Sequence, residues 1–303
     1  MAMILTKLPT ARATALIILA SCSFGSLSTL TILITRRGFP LLPAMFWRYL
    51  LAAAVLLVVV RKSELTAIDR RQALRLMLIG GCGQAVITYF SLRALVFIPV
   101  GPLAFLFYTY PAWVTAIAAV TRREAITLPR LLALAIAMAG IVVMVGAPSA
   151  ASLHPLGIML ALGTALLYAI YLPALQSAQK GVPPLVSSFY LVAGVFVSFL
   201  VASVLVRDIR LPESLSLWAF LIMLSLIGTV LAFVSLIAGL RVLGPVRTSI
   251  IATIEPFFTA LLGAILLSES LTSATIAGGA MIAAAVLMLQ WNAKSTLRLE
   301  TAE

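Results

Sequence analysis

Long apolar stretches alternate along the chain with short breaks that carry Pro, Gly or a charged residue. About 20 apolar residues are needed for a helix to cross the hydrocarbon of a membrane, and the residues in the breaks are those expected at helix ends. The pattern predicts ten spans, numbered here in chain order: 13–35, 41–60, 73–96, 101–121, 127–147, 156–178, 184–206, 215–240, 247–268 and 273–292. The predicted fold class is therefore all-α, a polytopic membrane protein.

The composition agrees with this pattern. Of 303 residues, 63% are hydrophobic and 10% are charged, whereas an average soluble domain is about 45–50% apolar and about 25% charged. These values exclude a disordered chain, a disulfide scaffold and an ordinary soluble enzyme.

The net charge of +12 does not indicate a nucleic-acid partner, because membrane proteins concentrate Lys and Arg on the cytoplasmic side. With both termini in the cytoplasm, fifteen basic residues face inward and five face outward. We therefore predict a multi-pass protein of the inner (cytoplasmic) membrane with both ends inside.

An internal repeat divides the chain. Residues 110–111 (Tyr-Pro) match residues 255–256 (Glu-Pro), and residues 124–127 (Glu-Ala-Ile-Thr) match residues 269–272 (Glu-Ser-Leu-Thr), both at an offset of 145 residues. Each half then holds five spans, and an odd number of spans places the halves in opposite orientations. Inverted repeats are typical of transporters, whose substrate site lies near the midplane between the halves.

The predicted domains are 1–147, with spans 1–5, and 148–303, with spans 6–10 and a short C-terminal tail. The inverted five-helix repeats, with a Pro-containing helix and Glu-x-x-Thr in each half, resemble the drug/metabolite transporter superfamily and, more narrowly, its ten-helix EamA-type exporters. Arg48 in span 2 matches an arginine common at that place in the family, whereas the run Thr121-Arg122-Arg123 departs from the small apolar run usual there. The resemblance implies export of amino acids and related metabolites through a central cavity.

Polar side chains recur at helical spacing on spans 1, 3, 4, 6, 8 and 9, which predicts that these six helices line a cavity. The resemblance implies the same six. Spans 5 and 10 have almost no polar side chains and are predicted to be peripheral. The alternative for any single Ser or Thr is a hydrogen bond to its own helix backbone. The predicted substrate-binding residues are Ser21, Ser28, Gln84, Thr88, Tyr108, Tyr110, Tyr168, Tyr171 and Glu255.

Two prolines, Pro111 and Pro256, lie in the middle of spans 4 and 9. Proline removes one helical hydrogen bond and crowds the carbonyl four residues earlier. We predict a kink at each, acting as a hinge during transport or as a static feature of packing.

Glu255 is the only acidic residue well inside a predicted span. An ionisable group within the membrane is a functional candidate by default. Three interpretations stay open for it: it binds a substrate ammonium group, it carries a proton in exchange, or it forms a buried ion pair with Arg48 or another arginine. Arg48 itself is interpreted as a structural anchor to a neighbouring helix or to a lipid headgroup.

Aromatic rings, hydroxyls, one amide and one acid, without a cluster of basic residues, favour a small zwitterionic metabolite over a phosphorylated one. Amino acids are the leading prediction; nucleosides, polyamines and cationic drugs are alternatives. A channel or an intramembrane enzyme is a remote alternative, since the sequence shows no filter segment and no catalytic constellation. No catalytic residue, metal site, cofactor or nucleotide-binding loop is predicted. The predicted partners are the substrate, the lipid bilayer and, as an open alternative, a second copy in a homodimer.

Overall fold

A computed structural model describes residues 9–94, 96–122, 124, 126–146, 154–268 and 270–300, with the side chains of 292–300 left aside. All regular structure in these ranges is helical, and nine of the helices there are long and apolar enough to cross a membrane. One of the nine, Leu215–Ala252, covers span 8 and the first part of span 9, whose second part is the shorter apolar helix Glu255–Leu267. The predicted boundary between the halves, at 147/148, lies outside the described residues.

The observed helices follow the predicted spans closely. Spans 1 and 2 are Thr10–Thr35 and Leu41–Val59, and the short helix Lys62–Thr66 follows. Spans 5, 6, 7 and 10 are Leu128–Val145, Pro155–Ala178, Pro184–Val206 and Ser273–Glu300. The four remaining spans are interrupted. Span 3 comprises Arg70–Leu78, Ile79–Gly83 and Gln84–Ala94, and span 4 comprises Val100–Phe107 and Tyr110–Val120. Spans 8 and 9 together comprise Leu215–Ser225, Leu226–Leu231, Ala232–Ala252 and Glu255–Leu267.

The connection between spans 8 and 9 is a sharp corner rather than a loop. Gly244 has φ 77° and ψ 167° inside the element Ala232–Ala252, and Pro245 follows it. Glycine adopts a positive φ without steric cost, and proline is well suited to the first turn of the next helix. Span 9 therefore begins at this corner, a few residues earlier than the predicted residue 247.

The interruptions repeat between the two halves. Span 4 breaks at Tyr108-Thr109 and span 9 breaks at Thr253-Ile254, so that Pro111 and Pro256 each lie in the first turn of a new helix. Each interruption is a short turn with near-helical dihedral angles, in which Thr109 N–H donates to the Leu106 carbonyl and Ile254 N–H donates to the Ile251 carbonyl. The regular helical hydrogen bonds stop there because each proline lacks the N–H that would continue them. Spans 3 and 8 each contain a π-helical segment, Ile79–Gly83 and Leu226–Leu231.

Spans 5 and 10 pack against each other through two glycines. A Cβ atom built at Gly140 would lie 2.8 Å from the Gly278 carbonyl oxygen, and one built at Gly278 would overlap the Gly140 carbonyl oxygen. Small residues permit this close approach of backbones in membrane helices. Neither span 5 nor span 10 contributes a residue to the wall of the cavity described next.

Candidate functional site

A cavity of about 150 Å³ lies in the middle of the bundle, between the two halves. An engineered protein cavity of similar volume, about 150 Å³, holds a benzene molecule, so this space suits a ligand of similar size. Spans 1, 2, 3, 4, 6, 8 and 9 contribute its wall. The lining residues are Phe24, Leu27, Arg48, Tyr49, Gln84, Phe107, Tyr110, Tyr168, Tyr171, Phe233, Leu236 and Glu255.

Five of the nine predicted substrate-binding residues meet in this cavity: Gln84, Tyr110, Tyr168, Tyr171 and Glu255. The tyrosines form one aromatic cluster. The rings of Tyr110 and Tyr168 are 4.8 Å apart at 80°, an edge-to-face arrangement, and those of Tyr168 and Tyr171 are 5.8 Å apart and nearly parallel. Such contacts hold the rings in place, so that the cavity wall consists of apolar ring surface with polar hydroxyl groups.

The other four do not line the cavity. Ser21 is buried but donates to the Ile17 carbonyl at 2.8 Å, within its own helix. Ser28 is exposed on the outside of the bundle and Thr88 is half-buried away from the cavity. Tyr108 is buried behind Phe107, with ring centroids 5.4 Å apart. Tyr108 falls in the break of span 4, so its side chain does not follow the helical spacing on which the prediction relied.

Hydroxyls on the other polar faces behave like that of Ser21. Thr115 donates to Pro111, Thr164 to Leu160 and Ser225 to Leu221, in each case to the carbonyl four residues earlier. A hydroxyl in a helix readily makes this bond. For these residues the structure shows the alternative interpretation, a hydrogen bond from the side chain to the backbone of its own helix.

Span 2 contributes to the cavity although it was not among the six predicted lining helices. Arg48, 6% exposed, donates from Nε to the Thr229 hydroxyl at 2.7 Å and from Nη2 to the Gly228 carbonyl at 3.2 Å. Its guanidinium also lies 4.7 Å from the centre of the Tyr49 ring. The anchoring role predicted for Arg48 is therefore seen in its contacts with span 8, while the same side chain faces the cavity.

The remaining lining residues that the prediction missed are apolar. Phe24 and Phe233 pack edge to face with centroids 5.3 Å apart, and Leu27 and Leu236 lie beside them. An apolar residue in an apolar span carries no signal that separates a cavity-facing position from a lipid-facing or core position.

Glu255 is the first residue of the helix Glu255–Leu267 and is half-buried at the cavity wall. The positive end of a helix dipole favours a negative charge at this position. No hydrogen bond or ion pair of its carboxylate is found among the described residues, and its backbone carbonyl accepts from Thr259 at 3.2 Å. The ion pair with Arg48, one of the three interpretations of Glu255, does not form in this part of the structure.

Tyr171 separates the central cavity from a second space. Its hydroxyl is buried without a hydrogen-bond partner in the described part of the chain. The same ring lines an apolar groove of about 410 Å³ between spans 3 and 6, where Gly83 leaves room for it. The hydroxyl is thus enclosed and unpaired in the described part of the chain, while the ring lines both spaces.

A wider vestibule of about 520 Å³ opens where spans 4, 6 and 8 end, with Glu124 at its wall. The Glu124 carboxylate pairs with Arg130 at 3.3 Å and accepts from the Val246 backbone N–H at 3.4 Å. Burial raises the pKa of Glu124 above its ordinary value of 4.5, against the opposing effects of the Val246 N–H, Arg130 and Arg247. Glu124 therefore ties the end of span 4 to the start of span 5 and to the corner before span 9.

The counterpart of Glu124 in the repeat, Glu269, lies outside the described residues. The two threonines of the repeat differ in their capping of the next helix. Thr272 accepts from the Thr275 N–H at 3.1 Å, whereas Thr127 precedes span 5 without a side-chain cap.

Comparison with known proteins gives a consistent result. The profile of the EamA-like transporter family matches residues 12–146 and again residues 155–291, one match in each half. No curated protein matches the chain. A solved structure described as "Crystal structure of protein" is similar in fold, with a TM-score of 0.78 and 18% identity over 94% of this chain and 99% of that one. Two matches that together cover nearly the whole chain assign it to a transporter family rather than to an enzyme family: this multi-pass membrane protein belongs to the EamA-like transporters.

Proposed function

We propose that this protein is a secondary transporter that exports small, partly apolar zwitterionic metabolites, above all amino acids, across the inner membrane with both termini in the cytoplasm. The observation that carries the proposal is the Glu255 carboxylate, which faces the central aromatic cavity without a partner in the described residues. A carboxylate in such a place provides a counter-charge for a substrate ammonium group.

Alternating access accounts for the position of the cavity between inverted halves. Transporters of this kind bind substrate at broken helices near the midplane and expose it by rocking one half against the other. The breaks beside Pro111 and Pro256 lie at matching positions in spans 4 and 9, and each adjoins a cavity residue, Tyr110 or Glu255. These breaks are the proposed hinges.

The aromatic rings and Gln84 are proposed to complete the substrate site. Tyrosine hydroxyls and an amide offer both donors and acceptors for hydrogen bonds, and the Tyr110, Tyr168 and Tyr171 rings supply apolar area for the substrate side chain. Glu255 is also the candidate for carrying a proton in exchange, since it is a titratable group that shares the cavity with the substrate.

The test is uptake of labelled amino acids by the purified protein in liposomes, each with and without an imposed pH gradient, against empty liposomes. Saturable uptake of one or more amino acids is expected. An increase in uptake when a pH gradient is imposed would assign proton exchange, and uptake indifferent to the gradient would leave Glu255 with substrate binding alone. No flux of any amino acid by a monodisperse sample would contradict the proposal and favour nucleosides, polyamines or cationic drugs.

A further inference from the structure

We infer that Arg48 is a specificity-determining residue of the central cavity, where it binds the carboxylate of a zwitterionic substrate while Glu255 binds the ammonium group. The inference rests on the proposed function and adds to it the second charged contact. It assigns to Arg48 a role in recognition beside its role as an anchor.

No carboxylate in the described part of the chain compensates the charge of Arg48, whose guanidinium lies over the Tyr49 ring. The side chain is 6% exposed, and no Asp or Glu in the described part of the chain forms an ion pair with it. Its two oxygen acceptors, the Thr229 hydroxyl and the Gly228 carbonyl, are neutral. A buried charge without a counter-ion is costly, and an anionic ligand group would supply that counter-ion.

Three N–H groups of the guanidinium have no oxygen acceptor in the described part of the chain. Arginine has five; Thr229 accepts from one and Gly228 from another, which leaves one on Nη2 and two on Nη1, and the acceptor found for Nη1 is the Met45 sulfur at 3.7 Å. Sulfur is a weak acceptor. The planar fork of a guanidinium matches the two oxygens of a carboxylate, so the free N–H groups suit that ligand group best.

The anchor also fixes the direction of the guanidinium. Thr229 and Gly228 belong to the π-helical segment Leu226–Leu231, and the Thr229 hydroxyl in turn donates to the Leu224 carbonyl at 3.3 Å. Segments of π-helix occur frequently at functional sites. The arrangement holds Arg48 at the wall of the cavity instead of letting it extend toward lipid headgroups.

Glu255 and Arg48 thus present opposite charges to one cavity of about 150 Å³ without pairing with each other. A zwitterion satisfies both charges at once. An amine leaves Arg48 without a counter-ion, and a simple carboxylic acid leaves Glu255 without one. The cavity wall also has an apolar part, formed by Phe24, Leu27, Phe233 and Leu236, which accommodates an apolar side chain. The two opposite charges and this apolar wall together indicate an α-amino acid with an apolar side chain.

The test uses valine with two analogues that each lack one charge, isobutylamine (no carboxylate) and isovalerate (no ammonium). Binding is measured as the ligand-dependent rise in Tm of the purified protein, and transport as counterflow of labelled valine into liposomes. Valine is expected to act at concentrations about ten-fold or more below those of either analogue, the order expected for one charge-assisted contact. Matched sets built on alanine and phenylalanine extend the test to smaller and larger side chains.

The variant Arg48→Met keeps the apolar stem and removes the charge. It is expected to lose the preference for valine over isobutylamine that the wild type shows. Arg48→Lys keeps the cation and is expected to retain part of the preference for valine. The matched control is Arg37→Met, because Arg37 is exposed, lies 4.4 Å over the Phe220 ring and does not line the cavity; its preference is expected to equal that of the wild type.

Equal binding of an amino acid and its amine by the wild type in all three sets, or no binding of any amino acid, would overturn the inference even if Arg48→Met fails to fold. A parallel loss of valine and isobutylamine in Arg48→Met would also overturn it, since that is the result of a purely structural role. Discriminating binding without counterflow would contradict the transport function and leave the assignment of Arg48 in place. Counterflow of valine without a preference for valine over its analogues would support the transport function and overturn the assignment of Arg48.

Discussion

Arg48 in span 2 donates from Nε to the hydroxyl of Thr229 in span 8 at 2.7 Å, a contact between residues 181 positions apart in the chain. Both side chains are buried. The contact explains how a charged residue is held within a membrane span. Removing the Thr229 hydroxyl therefore tests the role of Arg48 as an anchor.

We expect Thr229→Val to lower the stability by about 1–3 kcal/mol, because the change leaves the buried Arg48 Nε–H without its acceptor. The control is Thr164→Val, which removes an equally buried hydroxyl that bonds only to its own helix at Leu160. The measurement is the Tm of both variants in detergent, which should be lower for Thr229→Val than for Thr164→Val. Equal Tm values would show that the contact between spans 2 and 8 adds nothing beyond a local hydrogen bond.

Tyr171→Phe is expected to fold with an unchanged or higher Tm, since the hydroxyl is buried without a partner and such a group costs about 1–3 kcal/mol. Transport is expected to be retained, because the phenylalanine ring keeps the aromatic wall of the cavity and the lost hydroxyl is enclosed. Tyr190→Phe is the matched control: its hydroxyl donates to the Leu65 carbonyl at 3.0 Å, so its Tm should fall. A fall in Tm for Tyr171→Phe would mean that the hydroxyl contributes a hydrogen bond in the folded protein.

Gly140→Leu is expected to prevent the packing of spans 5 and 10, because even a Cβ atom at Gly140 would lie 2.8 Å from the Gly278 carbonyl oxygen, and backbone cannot easily give way. The loss is measured as the fraction of monodisperse protein after gel filtration. Ala139→Leu adds the same side chain at the neighbouring exposed position and should leave that fraction unchanged. A monodisperse Gly140→Leu sample would show that the two spans separate without loss of the fold.

Glu124 should give the protein a pH-dependent term in its stability. Its pKa is raised by burial, so the folded protein holds the proton more tightly than the unfolded chain does. The contribution is therefore fully present below the ordinary pKa of 4.5 and is lost as the pH rises through the raised folded-state value. Relative to Glu124→Gln, the wild-type Tm is expected to fall as the pH rises above the ordinary pKa of 4.5. A relative rise would show that pairing with Arg130 outweighs burial.

The helix ends and the repeat could be predicted because their signals are local. Proline and glycine fix the breaks near Pro111, Gly244 and Pro256, and the 145-residue offset aligns both broken helices. The sequence could not show that each interruption is a turn of two residues before the proline, since a smoothly kinked helix and an interrupted one can have the same residues.

The cavity was only partly predictable. Aromatic and charged side chains at helical spacing, such as Tyr168, Tyr171 and Glu255, lie around one cavity in the structure, and their role in binding substrate stays a prediction. Ser21 and Ser28 do not lie there, because spacing shows which residues share a helix face but not which face meets the cavity. Arg48 was predicted as an anchor; its second orientation, toward the cavity, depends on how span 2 packs against span 8.

The central claim is that the Glu255 carboxylate binds the substrate, and labelled amino-acid uptake by Glu255→Gln in liposomes tests it most directly. The matched control is Glu213→Gln, which neutralises an exposed acid in a connecting segment. We expect Glu255→Gln to elute as a monodisperse protein with near wild-type Tm and to lose uptake at every pH, while Glu213→Gln transports normally. Wild-type uptake by Glu255→Gln across the pH range would contradict the claim and remove Glu255 from the mechanism.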